Sequence, residues 1–333
     1  MNLRINEMKS NENKNSLNFS ILIATKSRPK ELALLLDSIS KLTILPKKLV
    51  IVFSGTDISE IVSNYMMDLN IELIRSEIAS QVFQKSLGIK ALKSNDGWIL
   101  FLDDDVLIDS KAIEILVNRY IQNDKFSQYV GFGLAIKNTN YRKFNILSKF
   151  LLYVFTLYSF KPGIITKSGH PQPYLHLSFD CDVSWLNGIS LWRSDVVKKY
   201  LENNLVVDYS SYEDVIFSYN VSKDHNLLFV PDVYVSSQDK LESQLLGHEQ
   251  FLYGSYLRYY FVDANKEFSK FWLLIAQLLR SYAYVTAKKS RINFFVRFKF
   301  VIKIWINLLI ASMNGVSGGD FIKSKLNLDI KIS

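Results

Sequence analysis

Three consecutive carboxylates, Asp103, Asp104 and Asp105, follow the apolar residues Phe101 and Leu102. Like charges at that density repel one another unless a cation offsets them. In an extended segment, side chains two apart share a side, so Asp103 and Asp105 can approach one ion while Asp104 turns away. Carboxylate oxygens suit Mg²⁺ or Mn²⁺, which reach a protein through a few carboxylates plus substrate phosphates. Such an ion would hold a diphosphate and neutralise the charge growing on it as it leaves. An acidic, solvated turn whose aspartates cap the next helix explains the same three residues. The histidines are His170, His176, His225 and His248 and the one cysteine is Cys181, so no cluster supports zinc and no internal disulfide is possible. A reducing compartment is the easier reading of that cysteine usage.

The elements around the aspartates read as alternating strands and helices. Phe19 to Ala24 is a buried-strand pattern, followed by Thr25-Lys26-Ser27-Arg28-Pro29 and a helical leucine spacing over 30–40, with Pro29 suited to the helix start. Strands are predicted at 48–53, 71–75 and 98–102, and helices at 57–68, 80–93 and from about Ser110. Continuous apolar strands between amphipathic helices imply a parallel sheet covered on both faces. Such sheets bind ligands beyond the carboxyl ends of their strands. Two polar clusters fall there, Thr25 to Arg28 and Asp103 to Asp105, and one crevice would receive both. Farther on, Tyr129 to Ala135 reads as a strand, 161–180 as a loop, 193–202 and 211–224 as helices, and Leu227 to Val230 and Val233 to Val235 as short strands.

The last third differs. Between 266 and 303 the basic residues are Lys266, Lys270, Arg280, Lys288, Lys289, Arg291, Arg297, Lys299 and Lys303, against the single acid Glu267. On a helical wheel Asn293, Arg297, Lys299, Lys303 and Asn307 gather on one arc, with Phe294, Phe295, Phe298, Val301, Trp305 and Leu308 elsewhere. That pattern fits an in-plane anchor on an anionic membrane surface over about 266–310. A helical appendage packed on the domain, or on a second copy in a homo-oligomer, is the alternative. The run 271–285 is interrupted by Arg280 and is short for a span, which takes ~20 residues. The 333 residues carry a net charge of +8, which fits a nucleotide diphosphate, an anionic lipid surface or a nucleic acid and does not choose among them. Nucleic acid is disfavoured, because the basic residues interleave with an apolar face and no reader motif occurs. Residues 1–18 are polar and do not read as a signal peptide, which points to a cytoplasmic active site.

FSILIATKSRP, the helix before Gly88, WILFLDDDV, WLNGISLWRSDVV and SSYEDVIFSYNV together resemble the family 2 glycosyltransferases. The resemblance spans roughly 18–235. It implies a GT-A fold, a Rossmann-like α/β architecture whose mostly parallel sheet is sandwiched by helices, here with a C-terminal helical, membrane-associated extension. The expected division is a flexible tail at 1–17 and a catalytic domain at 18–240. Within that domain, 18–125 is the nucleotide-sugar-binding half and 126–240 the acceptor half; a basic amphipathic region follows at 241–333. The resemblance also implies inverting transfer from a nucleotide-sugar donor, with Mg²⁺ or Mn²⁺ on Asp103 and Asp105 and with Asp104 beside the ribose. Its donor-binding opening maps onto Ala24, Thr25, Lys26 and Arg28.

The family's acidic pair maps onto Glu213 and Asp214, with Asp214 as general base toward an acceptor hydroxyl. A helix-start pair stabilising the first turn is the plain alternative. Trp185, Asn187 and Gly188 match the acceptor or donor-sugar stretch, where an indole can stack on a sugar and a glycine permits close approach. Tryptophan in an apolar run is otherwise ordinary core. The sequence departs from the family at Phe53-Ser54, where a base-recognising acid usually falls, so Asp57 reads as a helix cap. It departs again at 231–238, where relatives carry a ligating histidine and His248 is a weak substitute. Surface polysaccharide synthesis on a lipid-linked or oligosaccharide acceptor, such as O-antigen or capsule, is the expected setting. A sugar-phosphate nucleotidyltransferase is disfavoured by the glycine-free ATKSRP loop. A non-catalytic scaffold keeping the fold is the third reading.

Overall fold

A computed structural model describes residues 17–92, 97–137, 145–201, 212–238, 247–287 and 292–326. The expected tail, apart from Leu17, lies outside these residues, as do Lys288, Lys289 and Arg291. The chain begins with β1 (Phe19–Lys26), α1 (Pro29–Ser40) and β2 (Lys48–Ser54). Phe19, Ile21, Leu22 and Ile23 are all buried, as a strand covered on both faces requires. Leu32, Leu35, Leu36 and Ile39 form the buried stripe of α1. The helix expected at 57–68 is only α2 (Ser59–Ser63), ending where Ser63 Oγ turns back onto the Glu60 carbonyl.

Next come β3 (Ile71–Arg75), α3 (Gln81–Ala91), β4 (Trp98–Asp103), β5 (Val106–Ile108) and α4 (Ala112–Ile115), which runs on as a π-helical segment over Leu116–Ile121. The chain continues with β6 (Tyr129–Lys137), α5 (Ile146–Val154), β7 (Cys181–Val183), β8 (Ser190–Arg193), α6 (Ser194–Leu201), α7 (Glu213–Ser222) and β9 (Asn226–Ser237). The sheet order is β3-β2-β1-β4-β8-β6-β9-β5, with β7 also on β9. Only the β3-β2-β1-β4 half is uniformly parallel; β8 runs antiparallel to β4 and β6, while β6 and β9 are parallel. The sheet is therefore mixed, and parallel throughout its β3-β2-β1-β4 half. The strands missed in the sequence, β5, β7 and β8, are three or four residues long, too short for periodicity to register.

Four helices complete the described chain: α8 (His248–Ala264), α9 (Lys270–Val285), α10 (Phe294–Met313) and α11 (Gly318–Leu326). They share a core with α7 in which Tyr212 and Ile216 meet Phe251, Phe261, Leu273 and Leu308. The polar arc expected on α10 is split: Asn293, Lys299 and Lys303 are exposed, whereas Arg297 is buried and Asn307 is half-buried. Arg297 is 7% exposed, and its Nη1 donates to the Tyr284 carbonyl at 2.7 Å and the Ala287 carbonyl at 3.1 Å. Asn307 donates to the Tyr256 hydroxyl. Val301, Ile304 and Leu308 flank Arg297 and bury with it, so the guanidinium caps the end of α9 instead of facing water. The outward face carries Phe295, Phe298, Lys299, Ile302, Lys303 and Ile306. Every residue of α5 also escapes burial, with Ile146, Leu147 and Phe150 well exposed. Among the described residues no helix is long and apolar enough to cross a membrane.

Candidate active site

The loop after β1 is built to present Arg28. Ser27 has a positive φ of 52°, uncommon for a residue with a side chain. Gly55 lies against it so closely that a Cβ there would stand 2.2 Å from Ser27 Oγ. Arg28 Nη1 then donates to Asp104 Oδ1 at 3.0 Å and to Asp105 Oδ2 at 2.9 Å. Thr25 Oγ1 donates to the other oxygen of Asp104 at 2.6 Å. Burial pushes the Asp104 carboxyl up, and the Thr25 bond and Arg28 only partly offset it. Arg28 is held above its ordinary value, because Asp104 and Asp105 outweigh the cost of its burial.

Asp103 faces another neighbourhood. Gln81 Nε2 donates to its Oδ1 at 3.2 Å. From the next turn of α3, Lys85 reaches Glu213 Oε1 at 3.1 Å and Asp214 Oδ1 at 3.4 Å, with the Phe101 ring 5.5 Å below its ammonium. Lys85 is 6% exposed. Burial opposes its charge, but Asp214, Glu213 and Asp103 outweigh burial and hold its pKa above the usual lysine range. Burial is also the main force on Asp103, followed by the opposing pull of Lys85; repulsion from Asp214, Asp105 and Glu213 leaves the carboxyl at about 7.

Gly188 closes the gap between the two halves. A Cβ there would lie 3.2 Å from Asp103 Oδ1 and 3.2 Å from Asp214 Oδ2. Ala24, Thr25, Lys26, Arg28, Asp103, Asp104, Asp105 and Asp214 all line one cleft of about 550 Å³. Asn187, Glu213 and Asp214 line a smaller adjoining pocket with Lys85 and Phe101. Trp185 lines neither. Its Nε1 donates to the Gln172 carbonyl at 3.2 Å and its ring meets Tyr174 at 4.9 Å, so packing accounts for its contacts. Asn187 is anchored by its amide to the Tyr174 hydroxyl at 2.9 Å, leaving its buried Nδ2 unpartnered among the described residues.

Residues 20–186 match the family model described as Glycosyl transferase family 2. The chain belongs to that family. Its members move a sugar from a nucleotide-sugar donor, and this glycosyltransferase has that reaction class. The fold is shared with S. aureus TarS residues 1–349, at 14% identity and a TM-score of 0.54, covering 90% of this chain and 83% of that one. Against the longer S. aureus TarS structure the identity is 17% and the TM-score 0.53, and the match covers 49% of that chain. The mannosyltransferase PcManGT from Pyrobaculum calidifontis, solved with GDP-Man and Mn²⁺, matches at 9% identity and a TM-score of 0.50, covering 90% of this chain and 87% of that one. No curated protein matches the sequence. Family membership sets aside the nucleotidyltransferase reading.

The glycosyltransferase has an oxygen donor set that fits a hard divalent cation. Burial first, and then repulsion from Asp214, Asp105 and Glu213, raises the Asp103 carboxyl to about 7, and a bound cation would favour its ionised form. Among the described residues no three acidic, histidine or cysteine side chains converge on one point. His248 does not contribute: its Nδ1 lies 2.9 Å from the Tyr284 hydroxyl and its ring packs on Phe300. Glu249, beside it on α8, lines the cleft instead. Asp57 accepts from the Ser59 amide at 2.9 Å at the start of α2, as a cap does. Lys85 and Glu249 were both missed in the sequence. The polar run Gln84-Lys85-Ser86 inside a helix whose Gly88 presses on Leu22 was the available signal for Lys85.

Proposed function

We propose that this glycosyltransferase transfers its sugar with inversion to a hydroxyl of a glycan or lipid-linked acceptor, in bacterial surface-polysaccharide synthesis at the inner face of the plasma membrane. The reading divides the chain into a catalytic domain at 18–240 and a membrane-facing helical region at 241–333. The observation that carries the catalytic part is the approach of Asp103 and Asp214, from separate chain segments, to one point beside Gly188 in one cleft. Inversion requires a base across the sugar from the leaving diphosphate. Asp214, from a separate chain segment, is the carboxylate available for that.

In this reading Asp103 and Asp105 hold Mg²⁺ or Mn²⁺, which when bound supplies charge neutralisation for the departing diphosphate. Ala24, Thr25, Lys26, Arg28 and Asp104 line the nucleotide side. Arg28, now bridging Asp104 and Asp105, would exchange one of those contacts for phosphate. Asp214 takes the proton of the acceptor hydroxyl as its oxygen attacks the anomeric carbon. Glu213 works through Lys85, fixing the ammonium that orients Asp214. Trp185 acts on the acceptor side only by holding the segment that carries Asn187 and Gly188. The outward aromatic and basic face of α10 is the candidate membrane contact.

Asp214→Asn tests the base. Transfer is expected to fall about 10²- to 10⁴-fold while binding of a stabilising UDP-, GDP- or dTDP-sugar with Mn²⁺ persists in calorimetry. Full activity in that variant would remove Asp214 from the role. Loss of donor binding from the unaltered protein across all three nucleotides would favour a non-catalytic scaffold.

A further inference from the structure

Behind the acidic pair lies a second concentration of charge, of opposite sign. Arg258 on α8 is 5% exposed, and its guanidinium sits 5.2 Å from the Tyr212 ring. Tyr212 precedes Glu213 and Asp214 and donates its hydroxyl to the Gly169 carbonyl. Gly169, at a positive φ of 73°, lets the loop press onto Arg258: a Cβ there would be 3.3 Å from Arg258 Cγ. The next residue, His170, is close enough to feel both Arg258 and Arg280 of α9. Arg280 is partly exposed as a whole residue, with its guanidinium 5.4 Å from the Phe251 ring.

The polar accounting does not close. Arg258 Nε and His170 Nδ1 are buried without a hydrogen-bond partner among the described residues. Arg280 Nη1 donates to Gln277 Oε1 at 3.1 Å, and Gln277 is tied in turn to Ser255 Oγ at 2.9 Å. Among the described residues no carboxylate forms an ion pair with either arginine. Burial, and for Arg280 the neighbouring Arg258, lowers the pKa of both guanidinium groups; His170 is lowered by burial, then by the two arginines. Buried charges in folded proteins are paired, and a pair of unpaired guanidinium groups is costly. An anion would supply what is missing. Guanidinium forks match the oxygens of phosphate two at a time, and two of them beside an imidazole suit a group carrying more than one negative charge.

We propose that Arg258, Arg280 and His170 form a phosphate-binding subsite behind Tyr212, separate from the Arg28 loop and on the side of Asp214. A phosphate ester on the acceptor would be held there, with its hydroxyl directed to Asp214. The donor's diphosphate is the other source of the same chemistry. The proposal rests on the glycosyltransfer reading only for the identity of that phosphate.

The test is calorimetric titration of the full chain with inorganic pyrophosphate in metal-free buffer, then again with saturating UDP, GDP or dTDP and Mn²⁺. Pyrophosphate is expected to bind the unaltered protein, and Arg280→Gln is expected to weaken it at least tenfold. Arg258→Gln should do the same, and the partly exposed Arg280 keeps the test alive should the Arg258 variant fail to fold. Binding that survives nucleotide saturation assigns the subsite to an acceptor phosphate; competition assigns it to the donor diphosphate. Absence of pyrophosphate binding, or binding that Arg28→Gln abolishes and Arg280→Gln leaves intact, overturns the proposal. A protein that binds nucleotide but not pyrophosphate loses the subsite alone, whereas one that binds no nucleotide loses the glycosyltransfer reading.

Discussion

Lys85 and Arg258 are almost equally buried, at 6% and 5% exposure, yet their surroundings are opposite. Lys85 meets Glu213 and Asp214 at hydrogen-bonding range and lies within the field of Asp103. Arg258 meets the face of Tyr212 and, among the described residues, no acid. The first region holds its own counterions, although burial, with neighbouring carboxylates behind it, still raises Asp103. The second, among the described residues, carries cation without anion. Charge that a protein neutralises within itself serves architecture, whereas charge left over in a buried place points outward to a ligand.

The largest expected effect follows from breaking the self-contained region. Lys85→Met removes the ammonium and leaves the buried Glu213 without its cation, beside the half-exposed Asp214. A loss of about 3 to 5 kcal/mol is expected, because removing one member of a buried pair strands the other. Denaturant unfolding would measure it. Adding Glu213→Gln should restore part of the loss, and a double variant no more stable than Lys85→Met would show that the pairing is not what Lys85 supplies.

Gly188→Ala is next. Its methyl would stand 3.2 Å from an oxygen of Asp103 and 3.2 Å from one of Asp214, so one carboxylate must shift by a few tenths of an ångström. Misplacement of about 1 Å can cost ~10²-fold in rate, and a smaller loss is expected here with little change in unfolding free energy. Steady-state kinetics beside a melting curve would separate the two. Unchanged kcat in this variant would mean that the spacing of Asp103 and Asp214 is not critical.

What could be read in the sequence, and what could not, follows the same division. The strands β1, β2 and β4 were legible because burial on both faces writes an unbroken apolar run. The cleft gathers Asp103 and Asp105, expected at a strand's carboxyl end, with Asp214, whose place there only the family resemblance implied. Lys85 was not legible, because a lysine on an amphipathic helix reads as solvent-facing until the partner strand and α7 are in place. Arg297 misled for the same reason, since a helical wheel sorts residues by type and cannot know that a cation will cap a neighbouring helix. Arg258 and His170 come from segments with no sequence relation to each other, and only the packing of α8 on the loop before β7 unites them.

His170 lets the cationic region be read through stability. In the folded chain its pKa is lowered well below 6.5 by burial, Arg258 and Arg280, so it stays neutral where the unfolded chain takes up a proton. The groups facing it are Arg258 from α8, Arg280 from α9 and Tyr212 ahead of α7. Because the unfolded state binds the extra proton, stability falls as pH drops below about 6.5 and does so until the folded pKa is reached. One such group contributes a slope of at most about 1.4 kcal/mol per pH unit. His170→Asn should flatten that slope between about pH 6.5 and 5, measured by unfolding across the range. An unaltered slope would mean that the imidazole is not shielded from protonation.

The smallest effect is the one that separates the two regions most sharply. If Arg280 waits for an anion, its charge is a burden to the empty protein, raised by burial and by Arg258 beside it. Arg280→Met keeps the length and apolar stem of the side chain while removing that charge. Replacing buried charge by a well-packed apolar group is often neutral or stabilising by about 1 kcal/mol or more. In phosphate-free buffer the variant should therefore unfold at the same or slightly higher denaturant, the opposite sign to Lys85→Met. Addition of pyrophosphate should reverse the ranking, since only the unaltered chain gains from binding. A variant destabilised in both buffers would show that Arg280 serves packing, and the contrast between the two buried cations would then be one of degree.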